Sequence, residues 1–237
     1  MTLPAPPESG LRLISYNIRK CLGLDMRRRP ERILRVLDGS EADIAVLQEA
    51  DRRLPPRPSA LPVELLDQAG WEALDLGGAD SLGWHGNAIL LRQGRATWRD
   101  KGHLPLPGLE PRGAVWAQVS GPQGDFVVIG LHLGLVATSR REQMQALMRH
   151  LDDLPDLPLV WAGDFNEWAR GTVLDHNAPD MRFLPPRPSF PAAHPLGALD
   201  RIALRGGIEA LDHGVITAQP ARMASDHLPI WADLHLT

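Results

Sequence analysis

The chain has 237 residues, 43% of them hydrophobic, enough to bury one substantial core. Its formal net charge of -4 excludes a globally basic surface that would bind nucleic acid unselectively. A lone cysteine, Cys21, excludes an internal disulfide framework and a multi-cysteine zinc site.

The opening "MTLPAPPESG" lacks the basic and apolar regions of a signal peptide, and residues 1–10 are expected to be a flexible segment. No apolar run reaches the length of a membrane span, so a cytoplasmic monomer is the expectation. Apolar alternation from Leu11 predicts a first strand ending at Asn17. "RPERILRVLDGSE" predicts a helix, with Pro30 in its first turn and Ile33, Leu34 and Leu37 on one face. Strands follow in "ADIAVLQEA", "WHGNAILLR", "AVWAQVS" and "DFVVIGLHL". A helix over residues 139–154 is predicted to open with a capping box from Ser139 to Glu142, and its core stripe is Met144, Leu147, Met148 and Leu151. Further strands are expected in "LPLVWAG", "LDRIALR", near residues 214–218, and in "LPIWADLHL". Residues 52–62 and 183–197 are rich in proline and read as long loops. Strands outnumber helices and no linker divides residues 11–237. The expectation is one domain of sheets packed face to face, with helices outside.

Polar residues recur where the apolar strands end: Asn17, Glu49, Asn87, His132, Asp164, Asn166, Asp200, Asp226 and His227. Strand ends present side chains to a common rim on a rigid scaffold. Carboxylates are the ligands of a hard cation such as Mg²⁺ or Mn²⁺, and a histidine beside an aspartate can be held in one orientation. Such a set suits metal-assisted hydrolysis of a phosphoester. Asp164 and Asn166, in "GDFN", could equally form an Asx-turn. His132 could be a core histidine, and Arg112 a surface charge with a packed stem.

The segments "SYNIRK", "VLQEA", "GNAILL", "EPRGAVWAQV", "GLHLGL", "WAGDFNEW", "LDRIAL" and "SDHLPIWADL" occur in one order over Leu11–Leu236. In that order the chain resembles the endonuclease/exonuclease/phosphatase superfamily, which contains deoxyribonuclease I, abasic-site endonucleases, sphingomyelinases and inositol-polyphosphate 5-phosphatases. The resemblance implies a four-layer α/β/β/α sandwich with two packed mixed sheets. It implies Glu49 as the principal metal ligand, with Asn17 close by and Asp226 serving the metal. Asp164 and Asn166 would orient the attacking water and contact the phosphate. His227 would meet the phosphate or act as base, oriented by Asp200. His132 matches a second catalytic histidine, and Arg112 a phosphate contact.

Two departures from the family pattern stand out. Arg19 occupies the position where abasic-site endonucleases carry a metal-assisting aspartate. The chain's only tyrosine, Tyr16, lies outside the segment that bears their catalytic tyrosine. The first points Arg19 or Lys20 at an anionic substrate instead of a metal; the second, with His132 present, tilts the resemblance toward the deoxyribonuclease, sphingomyelinase and phosphatase branches. The expected activity is divalent-metal-dependent hydrolysis of a phosphoester. Nucleic acid as substrate remains open but is not favoured by the charge. The alternative is a non-catalytic protein that binds phosphate or a partner on the same scaffold.

Overall fold

The computed structural model describes residues 3–7, 9–52, 56–77, 80–108, 112–168 and 173–237. Residues 53–55 of the first proline-rich loop, and Glu110 and Pro111 of "EPRG", lie outside the described residues.

Two six-stranded sheets form the centre. The first holds, in spatial order, β11 (Ile208–Val215), β12 (Ile230–Leu236), β1 (Leu11–Asn17), β2 (Ile44–Gln48), β4 (Ala88–Arg92) and β3 (Trp71–Ala73). The second holds β5 (Thr97–Leu106), β6 (Arg112–Gly121), β7 (Gly124–His132), β8 (Leu159–Asp164), β10 (Asp200–Arg205) and β9 (Arg182–Phe183). Both are mixed: β1 runs parallel to β2 and β7 parallel to β8, while the remaining pairs are antiparallel.

Period-two alternation sorts each strand between two apolar layers. Leu11 and Leu13 of β1, Ile44 and Val46 of β2, Val128 of β7 and Val160 and Ala162 of β8 fill the space between the sheets. The alternate residues Ile14, Tyr16, Ala45 and Leu47 turn outward beneath α1 (Pro30–Gly39), α2 (Val63–Gln68) and α5 (Ala221–Ala224). On the other side Ile129, Leu131 and Trp161 pack under α3 (Ala137–His150) and α4 (Val173–Asn177). These strands are therefore buried on both faces, and the order of layers is α/β/β/α, as the resemblance implied.

Several local expectations change. α3 starts at Ala137 with Val136 as its N-cap and no side-chain cap, so Ser139 sits inside the first turn and forms no capping box. Arg140, which donates to the carbonyls of Gly134 and Leu135, anchors that end of the helix instead. β5, β3, β9 and α2 add to the predicted elements. β5 reads "TWRDKGHLPL" and is mostly exposed along its first half, so it lacks the apolar alternation by which a buried strand announces itself. β11 begins at Ile208, well before the predicted residue 214.

Candidate active site

The alternation that fills the core also builds the site. Asn17 shares its face of β1 with Leu11 and Leu13, and His132 shares its face of β7 with Phe126 and Val128. Asp164 follows Val160 and Ala162 on β8, and Asp200 precedes Ile202 and Leu204 on β10. Asn17, His132 and Asp164 close their strands and Asp200 opens its own, all four facing the space between the sheets where the apolar core gives way to a cleft. Register fixes their neighbours: His132 and Asp200 each pair with Asp164 from the flanking strands. The cleft has a volume of about 420 Å³, and Asn17, Glu49, Arg112, His132, Asp164, Asn166 and His227 all line it.

Asp164 is the hub. Asn17 Nδ2 donates to its Oδ2 at 3.1 Å, joining the two sheets at the mouth of the core. The same oxygen lies 3.4 Å from His132 Nε2 and 3.7 Å from His227 Nε2. Its other oxygen accepts the backbone N–H of Asn166 at 2.9 Å. "GDFN" is thus both an Asx-turn and a corner of the site. Asn166 is not extended: its φ of 50° is left-handed, and its side chain donates to the Leu133 carbonyl at 2.8 Å. That bond ties the segment after His132 to the segment after Asp164. Gly163 is required by close approach, because a Cβ there would meet the Leu131 carbonyl oxygen at 1.9 Å.

His227 Nδ1 contacts Asp200 Oδ2 at 2.9 Å, and Ser189 Oγ donates to the same oxygen at 2.5 Å. Burial works to lower the His227 pKa, but the charge and hydrogen bond of Asp200, with Asp164 and Asp226, outweigh it and push the value up to about 9. His132 goes the other way. Burial, only partly opposed by Asp164, drives it down to about 3, with Arg112 adding to the fall. One carboxylate thus faces two imidazoles whose pKa values are pushed in opposite directions.

The remaining expected residues are placed as follows. Glu49 holds a left-handed φ of 52°, which costs free energy at a non-glycine position and aims the residue away from β2. Its carboxylate is paired with Lys20 Nζ. Asp226 is turned onto Arg19 Nε at 3.2 Å. The two cations that follow Asn17 therefore each neutralise one of the acids expected to serve a metal. Asn87 donates to the Gly113 carbonyl at 2.8 Å and braces the loop before β4. Arg112 opens β6 on the cleft wall.

Among the described residues, Asp164, Asp200 and His227 form a group whose ligand atoms all lie within 4.8 Å of one another and could hold an ion. Glu49 and Asn17 add oxygen donors to the same cleft. A donor set made mainly of carboxylate and amide oxygens fits a hard divalent cation.

Sequence reasoning missed Ser189 and Phe190. Phe190 packs its ring 4.7 Å from that of His227 and lines the cleft. A phenylalanine inside a proline-rich loop was a signal that the loop folds back onto something. Nothing local marks Ser189, whose role depends on a partner on a different element.

A cleft at the open end of a two-sheet sandwich thus gathers Asp–His pairs around a hub carboxylate. The chain matches the model of the endonuclease/exonuclease/phosphatase family over residues 14–227, and it belongs to that family. The family indicates phosphoester hydrolysis, typically with a divalent metal. Its fold is shared by an endonuclease/exonuclease/phosphatase from Bacteroides vulgatus, 18% identical, with a TM-score of 0.78 over 97% of this chain and 100% of that one. A mannosyl-6-phosphatase from Bacteroides thetaiotaomicron is 20% identical, with a TM-score of 0.71 over 95% and 100% of the two chains. D. rerio TDP2, in complex with a single-stranded DNA product, is 19% identical, with a TM-score of 0.74 over 96% and 100%. No protein of curated function matches the sequence.

Proposed function

We propose that the chain is an Mg²⁺- or Mn²⁺-dependent phosphoester hydrolase working in this cleft. The observation that carries the reading is the convergence of Asn17, His132 and His227 on one oxygen of Asp164, with Asp200 behind His227. A divalent cation held by Glu49, with Asn17 and Asp226 near it, would neutralise charge on the phosphoryl oxygens. Asp164, which lines the cleft and is fixed through Oδ1 by the Asn166 backbone, would orient the attacking water. Asp200 and Ser189 fix the ring of His227, leaving Nε2 to meet a phosphoryl oxygen. Arg112 lines the same cleft and would add positive charge for the ester. Asn166 lines the cleft, ties the loop through Leu133 and would contact the phosphate.

The test is turnover of bis-p-nitrophenyl phosphate and of p-nitrophenyl phosphate with Mg²⁺, Mn²⁺ or EDTA. We expect turnover with a metal, none with EDTA, and its loss in Glu49→Ala. Turnover that survives EDTA, or a Glu49→Ala protein as active as wild type, overturns the reading.

A further inference from the structure

The cleft lining combines charged and apolar residues. Lys20, Arg52, Arg57 and Arg112 contribute cations alongside the carboxylates of Glu49, Asp51 and Asp164, and Lys20 is paired with Glu49. Leu135, Trp168, Phe190 and Leu199 contribute an apolar side. That apolar side continues onto the surface. Leu135 is 64% exposed, Val136 61%, Trp168 60% and Leu196 65%, high values for large apolar side chains.

These residues come from three separate loops, and the fold locks the loops together. Arg140 donates from Nη1 to the Leu135 carbonyl at 2.7 Å and from Nη2 to Glu167 Oε2 at 3.0 Å, so one buried guanidinium ties the Leu135–Val136 segment to the residue before Trp168. Trp168 packs edge-to-face on Phe190, with ring centroids 5.9 Å apart. A Cβ at Gly197 would lie 2.9, 3.3 and 3.4 Å from three successive carbons of the Trp168 ring, near-equal distances that mark contact with its face. The backbone beside Leu196 thus covers one face of the indole, and the Leu196 N–H bonds the Phe190 carbonyl at 2.9 Å. The result is a held rim of three aliphatic side chains and one tryptophan.

We propose that this rim docks on a lipid surface, and that the phosphoester the cleft takes is borne by a lipid; the second half rests on the hydrolase reading above. An amphiphile suits this lining, with its phosphate in the polar cleft that Arg52, Arg57 and Arg112 share with the histidines and its apolar portion against the rim. Tryptophan with aliphatic neighbours suits the boundary between water and hydrocarbon. A nucleobase fits less well, since Leu135, Val136 and Leu196 offer no ring to stack on. A second copy of the chain seated here would close the mouth of the cleft.

The probe is a vesicle of phosphatidylcholine, alone and mixed with an equimolar anionic phospholipid, in a flotation assay on the full chain. The variant is the double replacement Val136→Ser and Leu196→Ser. Neither residue lines the cleft, and serine is a favoured N-cap at position 136. We expect wild type to float with the vesicles and the variant to partition roughly tenfold less. Its turnover of soluble bis-p-nitrophenyl phosphate should be unchanged. Absence of wild-type binding to both vesicle types, or equal binding by the variant, overturns the docking surface. So does a wild-type dimer on gel filtration that the double variant converts to monomer, which would make the rim a self-association face. Vesicle binding without turnover of any soluble ester would refute the hydrolase reading and leave the docking surface standing.

Discussion

The two ends of β1 bury polar groups in opposite ways. At its start Arg12 is fully buried, and its guanidinium is used up: Nε and Nη2 reach the two oxygens of Asp233 at 2.7 and 2.9 Å, Nη1 donates to Ser40 O at 3.2 Å, and Nη2 also donates to Pro4 O at 2.9 Å. Its backbone N–H bonds Asp43, which also takes Arg95 Nε at 2.8 Å. At the end of β1, Asn17 meets an Asp164 oxygen that two histidines also approach, beside a cleft open to solvent. Complete pairing makes a structural anchor. Incomplete pairing beside a cleft leaves polarity for a substrate to complete.

The largest expected effect breaks the cleft end. His227→Ala removes the ring that Asp200 and Ser189 hold, and kcat should fall by about 10²–10⁴-fold. Far-UV circular dichroism should stay near wild type, because the strands beneath are unchanged, while the unfolding midpoint should fall, since buried Asp200 keeps Ser189 but loses its imidazole partner. A kcat within a few-fold of wild type would place the chemistry elsewhere. At the other end the signs reverse. Arg12→Ala strands Asp233 as a buried unpaired charge and should cost ~3–5 kcal/mol in urea unfolding, with kcat of the folded protein intact. Replacing both members by apolar residues, Arg12→Met with Asp233→Leu, should recover much of that loss. An Arg12→Ala protein with lowered kcat and normal stability would erase the distinction between the two ends.

How much of this was legible depends on whether the signal was local. Strands buried on both faces, such as "IAVLQ" and "LVWAGD", declare themselves by continuous apolar runs, and the strand-end polar residues follow from them. The edge strand β5 did not, since its first half faces water and its stability comes from pairing with β6. Motif order grouped many of the residues that line the cleft, but not their wiring. That Asp164 is a shared acceptor, that Lys20 lies on Glu49 and Arg19 on Asp226, and that Ser189 backs Asp200 all depend on register and on loops meeting across the fold. The Ser139 capping box failed for a related reason. A tertiary contact from Arg140 supplied the anchor that local chemistry seemed to require.

The smallest effect sharpens the comparison on the far face of β1. Tyr16 points away from the cleft, and with Cys21 it lies in the dry layer beneath the helices. Burial pushes the Cys21 thiol up to about 12 and raises the Tyr16 phenol further still. The sign follows from linkage: both groups ionise more readily in the unfolded chain, so raising pH favours unfolding. Stability should already decline between about pH 6.5 and 9, because the folded chain holds the His227 proton longer than the unfolded chain does, and the cysteine effect sets in on top of this above the ordinary thiol pKa of about 8.5. From there stability should decline by as much as ~1.4 kcal/mol per pH unit from Cys21 alone, and more steeply above about 10 where Tyr16 joins. Urea midpoints across this range test it, with Cys21→Ala expected to flatten the thiol part of the decline and leave the rest. Native Cys21 should also alkylate far more slowly than the unfolded thiol. A rapid native reaction at pH 8 would mean that solvent reaches both faces of β1 at its cleft end, and the one-sided opening that makes Asn17 part of a site would be lost.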